Sequence, residues 1–399
     1  MLLSKTLMAK KNNRIAVFLG HPAHFHLYKN MVSCLSSKNY DVVYLIKRKD
    51  ILENLVKQSG IKYVVVRDKE RSQSSVFGLI QSMLKMDWQV MKYLLKIRPR
   101  VLTGTYCPIF SFFTTVPFIS CNEDDALVVP RFAMLSYPPS KAILTPIVCN
   151  NGRWDKKSTK YPSYHELAYL HPNHFTADKT VVEGYGIDTT KPYFVMRFAS
   201  LKAHHDDGVK GINTEIAQRL IDILSPHGQI YITSERELEP QFEPYRIRIN
   251  PLDMHHVMAF ASLYLGDSQT MAAEAGVLGT PFVRFNDFVG RIGYLQELED
   301  VYQLGYGVHA TPLNEDSTIR RNDGSLQPSG TQALYNAVEQ LVAMPADERK
   351  ALYTARREKM LSEKIDYAKY LTWFIENYPA SQQQTRDNQE NVNFWAQFK

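Results

Sequence analysis

Residues Pro251 to Pro281 read PLDMHHVMAFASLYLGDSQTMAAEAGVLGTP and contain the clearest alternation of helix and strand patterns in the chain. A helix is predicted for Met254–Ala261, a short apolar strand for Leu263–Leu265 and a second helix for Met271–Leu278. The next apolar run, Pro281–Phe285, predicts another strand. Helices and strands that alternate at such short spacing indicate a parallel sheet with helical crossovers.

The same alternation extends over most of the chain. In the first half, strands are predicted for Arg14–Leu19, Asp41–Ile46, Ile61–Val66, Arg100–Thr103, Pro117–Ser120 and Ala142–Thr145, and helices for Tyr28–Ser37 and Val76–Ile97. In the second half, strands are predicted for Tyr193–Phe198, Gln229–Thr233 and Arg246–Ile249, and a helix for Thr214–Leu224. We therefore expect an α/β protein with two Rossmann-like, doubly wound domains that face a cleft.

A length of 399 residues is too great for one ordinary core and indicates two main domains. The patterns predict a disordered lead-in at 1–13, an N-terminal Rossmann-like domain at 14–172 with a linker from about 150, and a C-terminal Rossmann-like domain at 173–345. Helices that pack back across the domains are expected at 346–379, and a flexible tail rich in Gln and Asn at 380–399.

The overall composition is that of an ordinary globular protein with a mild positive charge. Hydrophobic residues make up 44% of the chain and charged residues 22%, and the formal net charge is +6. This charge suits an anionic small substrate or a surface of anionic lipid, and it is too small to indicate nucleic acid. No apolar run of about 20 residues predicts a membrane span. We expect a cytoplasmic protein, and peripheral binding at the inner face of the membrane is left open.

A phosphate site is predicted where the strand at Leu263–Leu265 ends. Ser268 or Thr270 can cap the helix that follows, and the free N–H groups of its first turn suit a phosphate group. Glu274 lies too deep in this helix to cap it, and we expect it to accept hydrogen bonds from a ribose diol. The alternative is that Ser268 only caps the helix and that Glu274 is solvated.

Three histidines follow the first strand, in the segment GHPAHFH from Gly20 to His26. Gly20 suits a tight turn where a substrate approaches, and His21 and His26 are candidates for binding that substrate. His24 is the first choice for a general acid or base. No metal site is predicted, because neither a cysteine nor a pair of carboxylates accompanies these histidines and the four cysteines have no CxxC spacing. A purely structural loop is the alternative.

Two further loops carry charged residues at strand ends. Arg197 ends a predicted strand, and Arg197 and Lys202 are natural clamps for a diphosphate, with His204 as a further binding residue. The sequence CNEDD from Cys121 to Asp125 follows another strand, and its three acids can supply a base or bind a cation. The alternative for each loop is a solvated, charged surface.

These motifs resemble those of a known fold family. The pattern Asp267-Ser268-x-Thr-Met-x-x-Glu274-Ala-x-x-Leu-Gly279-x-Pro281, after a helix that bears histidines, is similar to the donor-binding signature of glycosyltransferase-B proteins. It resembles UDP-N-acetylglucosamine 2-epimerases most, together with an uncharacterised bacterial and archaeal family related to them. The resemblance to that second family covers nearly the whole chain and includes His21 to Asn30, Tyr164 to Pro172 and Arg197 to Asp206. It implies the glycosyltransferase-B fold.

The resemblance also implies roles for particular residues. In the epimerase-like relatives the matching serine contacts phosphate, the glutamate holds the ribose, and a histidine before the motif contacts the nucleotide. By position, these are Ser268, Glu274 and either His255 or His256.

Comparison with the epimerases also concerns the acid/base groups. Those enzymes place a glutamate near the position of Glu123, which implies that Glu123 is catalytic. They carry an aspartate in a Gly-Asp-Thr-Thr turn, where this chain has TGTY from Thr103 to Tyr106. One acid/base carboxylate is therefore missing, which argues against epimerisation.

We therefore expect a nucleotide-sugar-dependent glycosyltransferase in the assembly of a bacterial surface polysaccharide, with a UDP-sugar favoured by the resemblance. Its partners would be a nucleotide-sugar donor and a saccharide or lipid-linked acceptor. No cofactor or metal is required, because cationic side chains and helix N–H groups bind the diphosphate. His24 or Glu123 would deprotonate the acceptor hydroxyl. Two alternatives remain open, namely an enzyme like the 2-epimerases and a non-catalytic protein that binds nucleotide sugars.

Overall fold

The computed structural model describes residues 13–48, 51–67, 76–105, 109–198 and 211–399. The predicted lead-in before Asn13 and the predicted binding residues Lys202 and His204 lie outside the described residues. Within the described ranges, no helix is both long and apolar enough to cross a membrane.

The first half of the chain forms a parallel sheet of seven strands. They are β1 (Arg14–Leu19), β2 (Asp41–Lys47), β3 (Tyr63–Arg67), β4 (Val101–Gly104), β5 (Phe118–Cys121), β6 (Ala142–Pro146) and β7 (Ser158–Tyr161), in the order β3-β2-β1-β4-β5-β6-β7. All six strands predicted here are confirmed, because short runs of β-branched and aromatic residues are typical of strands in a parallel sheet covered on both faces. The sequence analysis missed β7, whose residues Ser-Thr-Lys-Tyr read as a polar loop.

The helices of this half are α1 (Pro22–Ser37), α2 (Leu52–Gln58), α3 (Val76–Ile97), α4 (Pro130–Ser136) and α5 (Lys179–Glu183). The first of them corrects the prediction of a loop at the histidines. Pro22 opens α1, where its missing N–H is not needed, and His21 Nδ1 caps the helix by accepting the Ala23 N–H at 3.2 Å. His24 and His26 therefore lie in the first turns of a helix, where residues two apart point in nearly opposite directions.

The second half forms a parallel sheet of five strands. They are β8 (Tyr193–Phe198), β9 (Gln229–Ser234), β10 (Leu263–Gly266), β11 (Phe282–Phe285) and β12 (Gly305–Val308), in the order β12-β11-β10-β8-β9. Its helices are α6 (Thr214–Leu224), α7 (Met254–Phe260), α8 (Gln269–Leu278) and α9 (Gly293–Gln296). The strand predicted at Arg246–Ile249 is wrong, since only an isolated bridge joins Arg246 to Ile232. The sequence analysis missed β12, because two of its four residues are glycine.

Five helices complete the chain: α10 (Gly330–Ala343), α11 (Ala346–Glu363), α12 (Tyr367–Asn377), α13 (Ala380–Asp387) and α14 (Val392–Ala396). The ring of Tyr367 stacks on Tyr161 of β7 with 4.3 Å between centroids, so α12 packs on the first sheet. The prediction of a flexible tail at 380–399 is wrong. Trp395 and Phe398 are buried against the ring of Tyr370, and these few apolar contacts outweigh a composition that is rich in Gln and Asn.

The polar segment that was expected to be a linker from about 150 is also structured. Besides β7, it contains a 3-10 helix at His165–Ala168, and all residues from Tyr164 to Leu170 are buried. Its backbone is tied to α1, because the Asn30 side-chain amide donates a hydrogen bond to the Ala168 carbonyl at 2.8 Å. Three of its residues, His165, Glu166 and Tyr169, line the cavity between the two halves of the molecule.

Candidate functional site

A cavity of about 490 Å³ opens between the two halves of the molecule. The first half contributes the loops that follow β1, β4 and β5, and the second half contributes the first turn of α8 and the loop after β11. The polar residues that line it are His21, His24, Thr105, Asn122, Glu123, Asp124, His165, Glu166, Tyr169, Gln269, Thr270 and Tyr294. Most of them follow the carboxyl ends of parallel strands, which is where open α/β sheets bind ligands.

The N-terminus of α8 forms one wall of this cleft. Ser268 is the N-cap residue, and its Oγ accepts the Met271 N–H at 3.5 Å. The N–H groups of Gln269 and Thr270 come before that of Met271 in the chain and have no hydrogen-bond partner inside the helix. Both residues line the cleft, so the positive end of the helix dipole lies where an anion can bind.

Glu274 lies further along α8 and is 7% exposed, so the alternative of a solvated residue is wrong. Its Oε1 accepts a hydrogen bond from the Tyr169 hydroxyl at 2.8 Å and lies 3.0 Å from His255 Nε2. Burial acts to raise the pKa of Glu274, but His255 and Tyr169 outweigh it and hold the pKa below its ordinary value. Tyr169 lines the cleft, and Glu274 meets these protein groups behind it. The predicted ribose contact stays a prediction.

His26 belongs to the same buried group and not to the cleft wall that the sequence predicts for it. Its ring meets the His255 ring edge-on, with 5.3 Å between centroids, and is 7% exposed. Burial lowers the pKa of His26 to about 3, so the imidazole is neutral at physiological pH. It therefore packs beside Glu274 as an uncharged ring.

The two remaining predicted residues of the second half contact other protein groups. His256 Nδ1 accepts the Asp178 N–H at 3.0 Å, so His256 holds the chain at the start of α5. Arg197 is the residue before the last of β8 and lies beside Gly266 of β10. Its Nη2 forms an ion pair with Glu235 Oε1 at 2.5 Å. Arg197 thus lies next to the strand that leads into α8, with its charge partly balanced.

His24 lines the opposite wall, at the start of α1. Its Nδ1 accepts the Gly20 N–H at 3.1 Å, and the Thr105 hydroxyl lies 3.0 Å from Nδ1 and 3.1 Å from Nε2. Thr105 directly follows β4. Its hydroxyl can orient the imidazole, but it is not a base near neutral pH.

Glu123 lies two residues after the end of β5, where its side chain is 14% exposed at the cleft. Its Oε2 accepts the His165 N–H at 2.9 Å, and its Oε1 lies 3.3 Å from His165 Nδ1. Burial lowers the pKa of His165 to about 3, so this contact is between a carboxyl and a neutral ring. Burial also raises the pKa of Glu123 well above its ordinary value. A carboxyl that is held in place and raised in pKa suits proton transfer.

The sequence analysis assigned no role to the neighbouring residue Glu166, which also lines the cleft. It is 0% exposed, and among the described residues neither carboxyl oxygen has a hydrogen-bond partner. Burial, and then the charge of Glu123, raise its pKa well above the ordinary value. The signal in the sequence was an acid beside the apolar run from Leu167 to Leu170, but the segment was interpreted as a polar linker.

Solved structures share this arrangement of two sheets. The UDP-GlcNAc 2-epimerase from Neisseria meningitidis bound to UDP-GlcNAc matches with a TM-score of 0.58 and 13% identity, over 93% of this chain and 100% of that one. The S. aureus MnaA–UDP co-structure gives 0.60 and 12% over 92% and 97%, and the glycotransferase of kitacinnamycin gives 0.56 and 12% over 91% and 98%. The fold is that of glycosyltransferase-B proteins. No family model and no curated protein matches the chain.

Within this fold, seven of the predicted residues fall into two groups. Those that line the cleft are His21, His24, Glu123 and Thr270, while His26, His255 and Glu274 form the buried group behind Tyr169. Across the described ranges, no group of three or more His, Cys, Asp or Glu residues has the arrangement of a metal site. The cleft wall presents carboxyl, imidazole, hydroxyl and backbone N–H groups.

Proposed function

We propose that this protein is a nucleotide-sugar-dependent glycosyltransferase. The observation that carries the proposal is that the N-terminus of α8 and the Glu123 carboxyl line one cleft. The N-terminus of α8 can bind an anionic diphosphate, and the Glu123 carboxyl can accept a proton. Glycosyl transfer requires both, because the leaving group of the donor is a nucleoside diphosphate and the acceptor hydroxyl must lose its proton. Two of the solved structures with this fold contain UDP-GlcNAc or UDP, which supports a nucleotide sugar as the donor.

The donor diphosphate would bind at the first turn of α8. The N–H groups of Gln269 and Thr270 would donate to phosphate oxygens, and Arg197 lies beside the strand that leads into this turn. These fixed dipoles and charges would stabilise the negative charge that develops as the leaving group departs. Lys202, which the sequence predicts as a second diphosphate ligand, remains part of the proposal.

The transfer step balances as a substitution at the anomeric carbon. The bond between that carbon and the diphosphate oxygen breaks, and its electron pair leaves with the nucleoside diphosphate. A new bond forms from the acceptor oxygen, whose proton passes to the Glu123 carboxylate. The raised pKa of Glu123 makes its ionised carboxylate a stronger base, with a greater affinity for the proton.

Glu123 is a better candidate for the base than His24. The His24 Nδ1 already accepts the Gly20 N–H, and the Thr105 hydroxyl lies against the same ring. The Glu123 carboxyl is held from one side by His165, and its side chain is 14% exposed at the cleft. We therefore assign His24 and His21 to acceptor or donor binding and proton removal to Glu123.

One observation favours a second candidate, a nucleotide-sugar 2-epimerase. Inversion at C2 of the sugar needs acid/base groups on both sides of that carbon, and this chain has TGTY from Thr103 to Tyr106 where the resembling enzymes carry an aspartate in a Gly-Asp-Thr-Thr turn. Glu166 places a second buried carboxyl on the same cleft, with a pKa raised by burial and by Glu123. It is a candidate for the missing acid/base group.

The biological setting that we propose is the assembly of a bacterial surface polysaccharide in the cytoplasm. Its acceptor would be a saccharide or a lipid-linked saccharide, and its donor a UDP-sugar. The test is to incubate the full chain with a panel of UDP-sugars and acceptors, then to measure UDP release and follow the sugar by NMR. UDP release with a new glycosidic bond supports transfer, and a new epimer without net UDP release supports the second candidate. Binding of UDP-sugars without either product contradicts both.

A further inference from the structure

A second cavity, of about 780 Å³, adjoins the candidate active cleft. We call it the apolar groove, and its lining residues are Leu127, Val128, Val129, Pro130, Arg131, Phe132, Phe288 and Arg291. Val128, Val129, Phe132 and Phe288 line both the groove and the cleft. The two cavities are therefore neighbours across shared side chains, so one molecule of sufficient length can occupy both.

The groove continues onto an apolar surface that is open to solvent. Leu127 is 85% exposed at its edge, and Met134 of α4 is 61% exposed. Met134 lies one helical turn beyond Pro130 on the same face of α4, so the apolar surface runs outward from the groove along that helix. Large apolar side chains grouped at the mouth of a site indicate that an apolar ligand or surface covers them.

Two guanidinium groups border this apolar surface. Arg131 comes from the first half of the chain and Arg291 from the second, and both are exposed. Within the described part of the chain neither has an ion-pair partner. Asp125 connects the two loops, because its carboxylate accepts the N–H of Gly293 at 2.7 Å and that of Asn150 at 2.7 Å. The bond from Gly293 holds the loop that contains Arg291 against the loop that precedes Arg131.

An apolar groove with two unpaired guanidinium groups at its edge matches one kind of molecule, an amphiphile with an anionic head. We propose that the groove binds the lipid and phosphate portion of a lipid-linked saccharide acceptor, in an inference that rests on the proposed glycosyltransferase function. The hydrocarbon chain lies on Leu127 and Met134, and the phosphate lies between Arg131 and Arg291. Guanidinium groups pair with phosphate oxygens in two parallel hydrogen bonds. The group that accepts the sugar then extends past Phe132 toward Glu123.

The experiment titrates farnesyl phosphate into the full chain without any donor, by calorimetry below the concentration at which the lipid forms micelles. Farnesol is titrated in parallel as the same chain without the phosphate. We expect farnesyl phosphate to bind and farnesol to bind about tenfold more weakly. Arg131→Gln and Arg291→Gln should each weaken farnesyl phosphate by about five- to tenfold and leave farnesol unchanged. Leu127→Gln should weaken both ligands by about fivefold.

Matched controls separate these effects from general loss of charge or of apolar surface. Arg248→Gln removes an exposed guanidinium outside the groove, and Val392→Gln removes a side chain that is 79% exposed on α14. Both should bind farnesyl phosphate as the wild type does. Equal affinity for farnesol and farnesyl phosphate would overturn the assignment of the phosphate to the arginines. No binding of either ligand, or wild-type binding by all three groove variants, would overturn the proposal as a whole.

Failure here is distinct from failure of the proposed function. A chain that transfers sugar from a UDP-sugar to a water-soluble saccharide, yet binds no farnesyl phosphate, retains its proposed function and loses this acceptor assignment. A chain that binds farnesyl phosphate through Arg131 and Arg291 but neither binds nor consumes any UDP-sugar retains the lipid site and loses the proposed donor. The two titrations are therefore made separately on the same preparation.

Discussion

The Tyr169 hydroxyl donates a hydrogen bond to Glu274 Oε1 across 2.8 Å, and this bond joins the segment after β7 to the interior of α8. Tyr169 lines the cleft, whereas Glu274 does not line it and meets the Tyr169 hydroxyl from the interior of the molecule. The same oxygen lies 3.0 Å from His255 Nε2, so one carboxylate contacts Tyr169 of the first half and His255 of the second half.

We expect Tyr169→Phe to lower the free energy of unfolding by about 1 kcal/mol, which is the ordinary net value of one hydrogen bond. Glu274→Ala should lower it by about 3 kcal/mol or more, because it leaves the buried His255 and the Tyr169 hydroxyl without their partner. Urea unfolding of the two variants measures both values. A Glu274→Ala protein as stable as the wild type would show that this buried contact does not hold the two halves together, and any loss of UDP binding would then report a ribose contact.

Local features of the site were predictable from the sequence, whereas contacts between distant segments were not. Ser268 lies between the end of β10 and the first residue of α8, so its capping role depends only on residues that are near it in sequence. Tyr169 and Glu274 are separated by 105 positions, and only the packing of both sheets brings them together. No local pattern can place a carboxyl against a particular hydroxyl at that separation.

Polar composition was the main source of error. Glu166 and the tail residue Trp395 both lie in segments that are polar on average, and those segments were interpreted as linker and flexible tail. Both residues are nevertheless buried, because a short 3-10 helix or a single helical turn needs only a few apolar side chains to pack. The mean polarity of a sequence segment therefore does not reveal single buried residues such as Glu166 and Trp395.

Ser268→Asp tests whether α8 binds the donor diphosphate. Aspartate caps a helix about as well as serine, so we expect stability close to that of the wild type. The added negative charge lies beside the N–H groups of Gln269 and Thr270, where it repels a phosphate. UDP affinity should therefore fall by about tenfold or more, as measured by calorimetry.

The matched control is Asn213→Asp. Asn213 caps α6 in the same half of the chain, where its Oδ1 accepts the Ile216 N–H at 2.9 Å. This change adds the same charge at a helix N-terminus and should leave UDP affinity unchanged. If Ser268→Asp also binds UDP as the wild type does, the donor diphosphate is not at α8.

Glu123→Gln tests the assignment of the base. Glutamine has the same shape and can still accept the His165 N–H, so we expect the fold and the UDP affinity to be retained. It cannot accept a proton, so kcat should fall by about 100-fold or more. The control is Glu237→Gln, which removes the charge of an exposed glutamate and should leave kcat unchanged.

The pH dependence of kcat/KM gives an independent test of the same residue. A base must be ionised, and burial raises the pKa of Glu123. Activity should therefore fall as the pH decreases through a value above the ordinary glutamate pKa of about 4.3. This limb should be absent from the residual activity of Glu123→Gln. If the limb persists there and is lost in His24→Gln, then His24 is the base.

Glu166→Gln tests the effect of an unpartnered, buried carboxyl on stability. Burial, and then Glu123, raise the pKa of Glu166 in the folded state above its unfolded value. Its protonated form therefore stabilises the fold, fully below the unfolded pKa of about 4.3, and this contribution is lost as the pH rises through the folded pKa. We therefore expect the free energy of unfolding of the wild type to decrease as the pH rises from the unfolded pKa through the folded pKa of Glu166. The decrease should be smaller in Glu166→Gln, which cannot ionise.

Urea unfolding at a series of pH values measures this difference, and Glu237→Gln should follow the wild-type curve, because its carboxyl is exposed. The same Glu166→Gln protein separates the two candidate functions. In D2O with UDP-GlcNAc, an epimerase that uses Glu166 exchanges the C2 proton for deuterium, and the variant should lose this exchange. A glycosyltransferase shows no exchange in either protein, and there UDP release depends on Glu123. A variant that exchanges deuterium at the wild-type rate would exclude Glu166 as the second acid/base group.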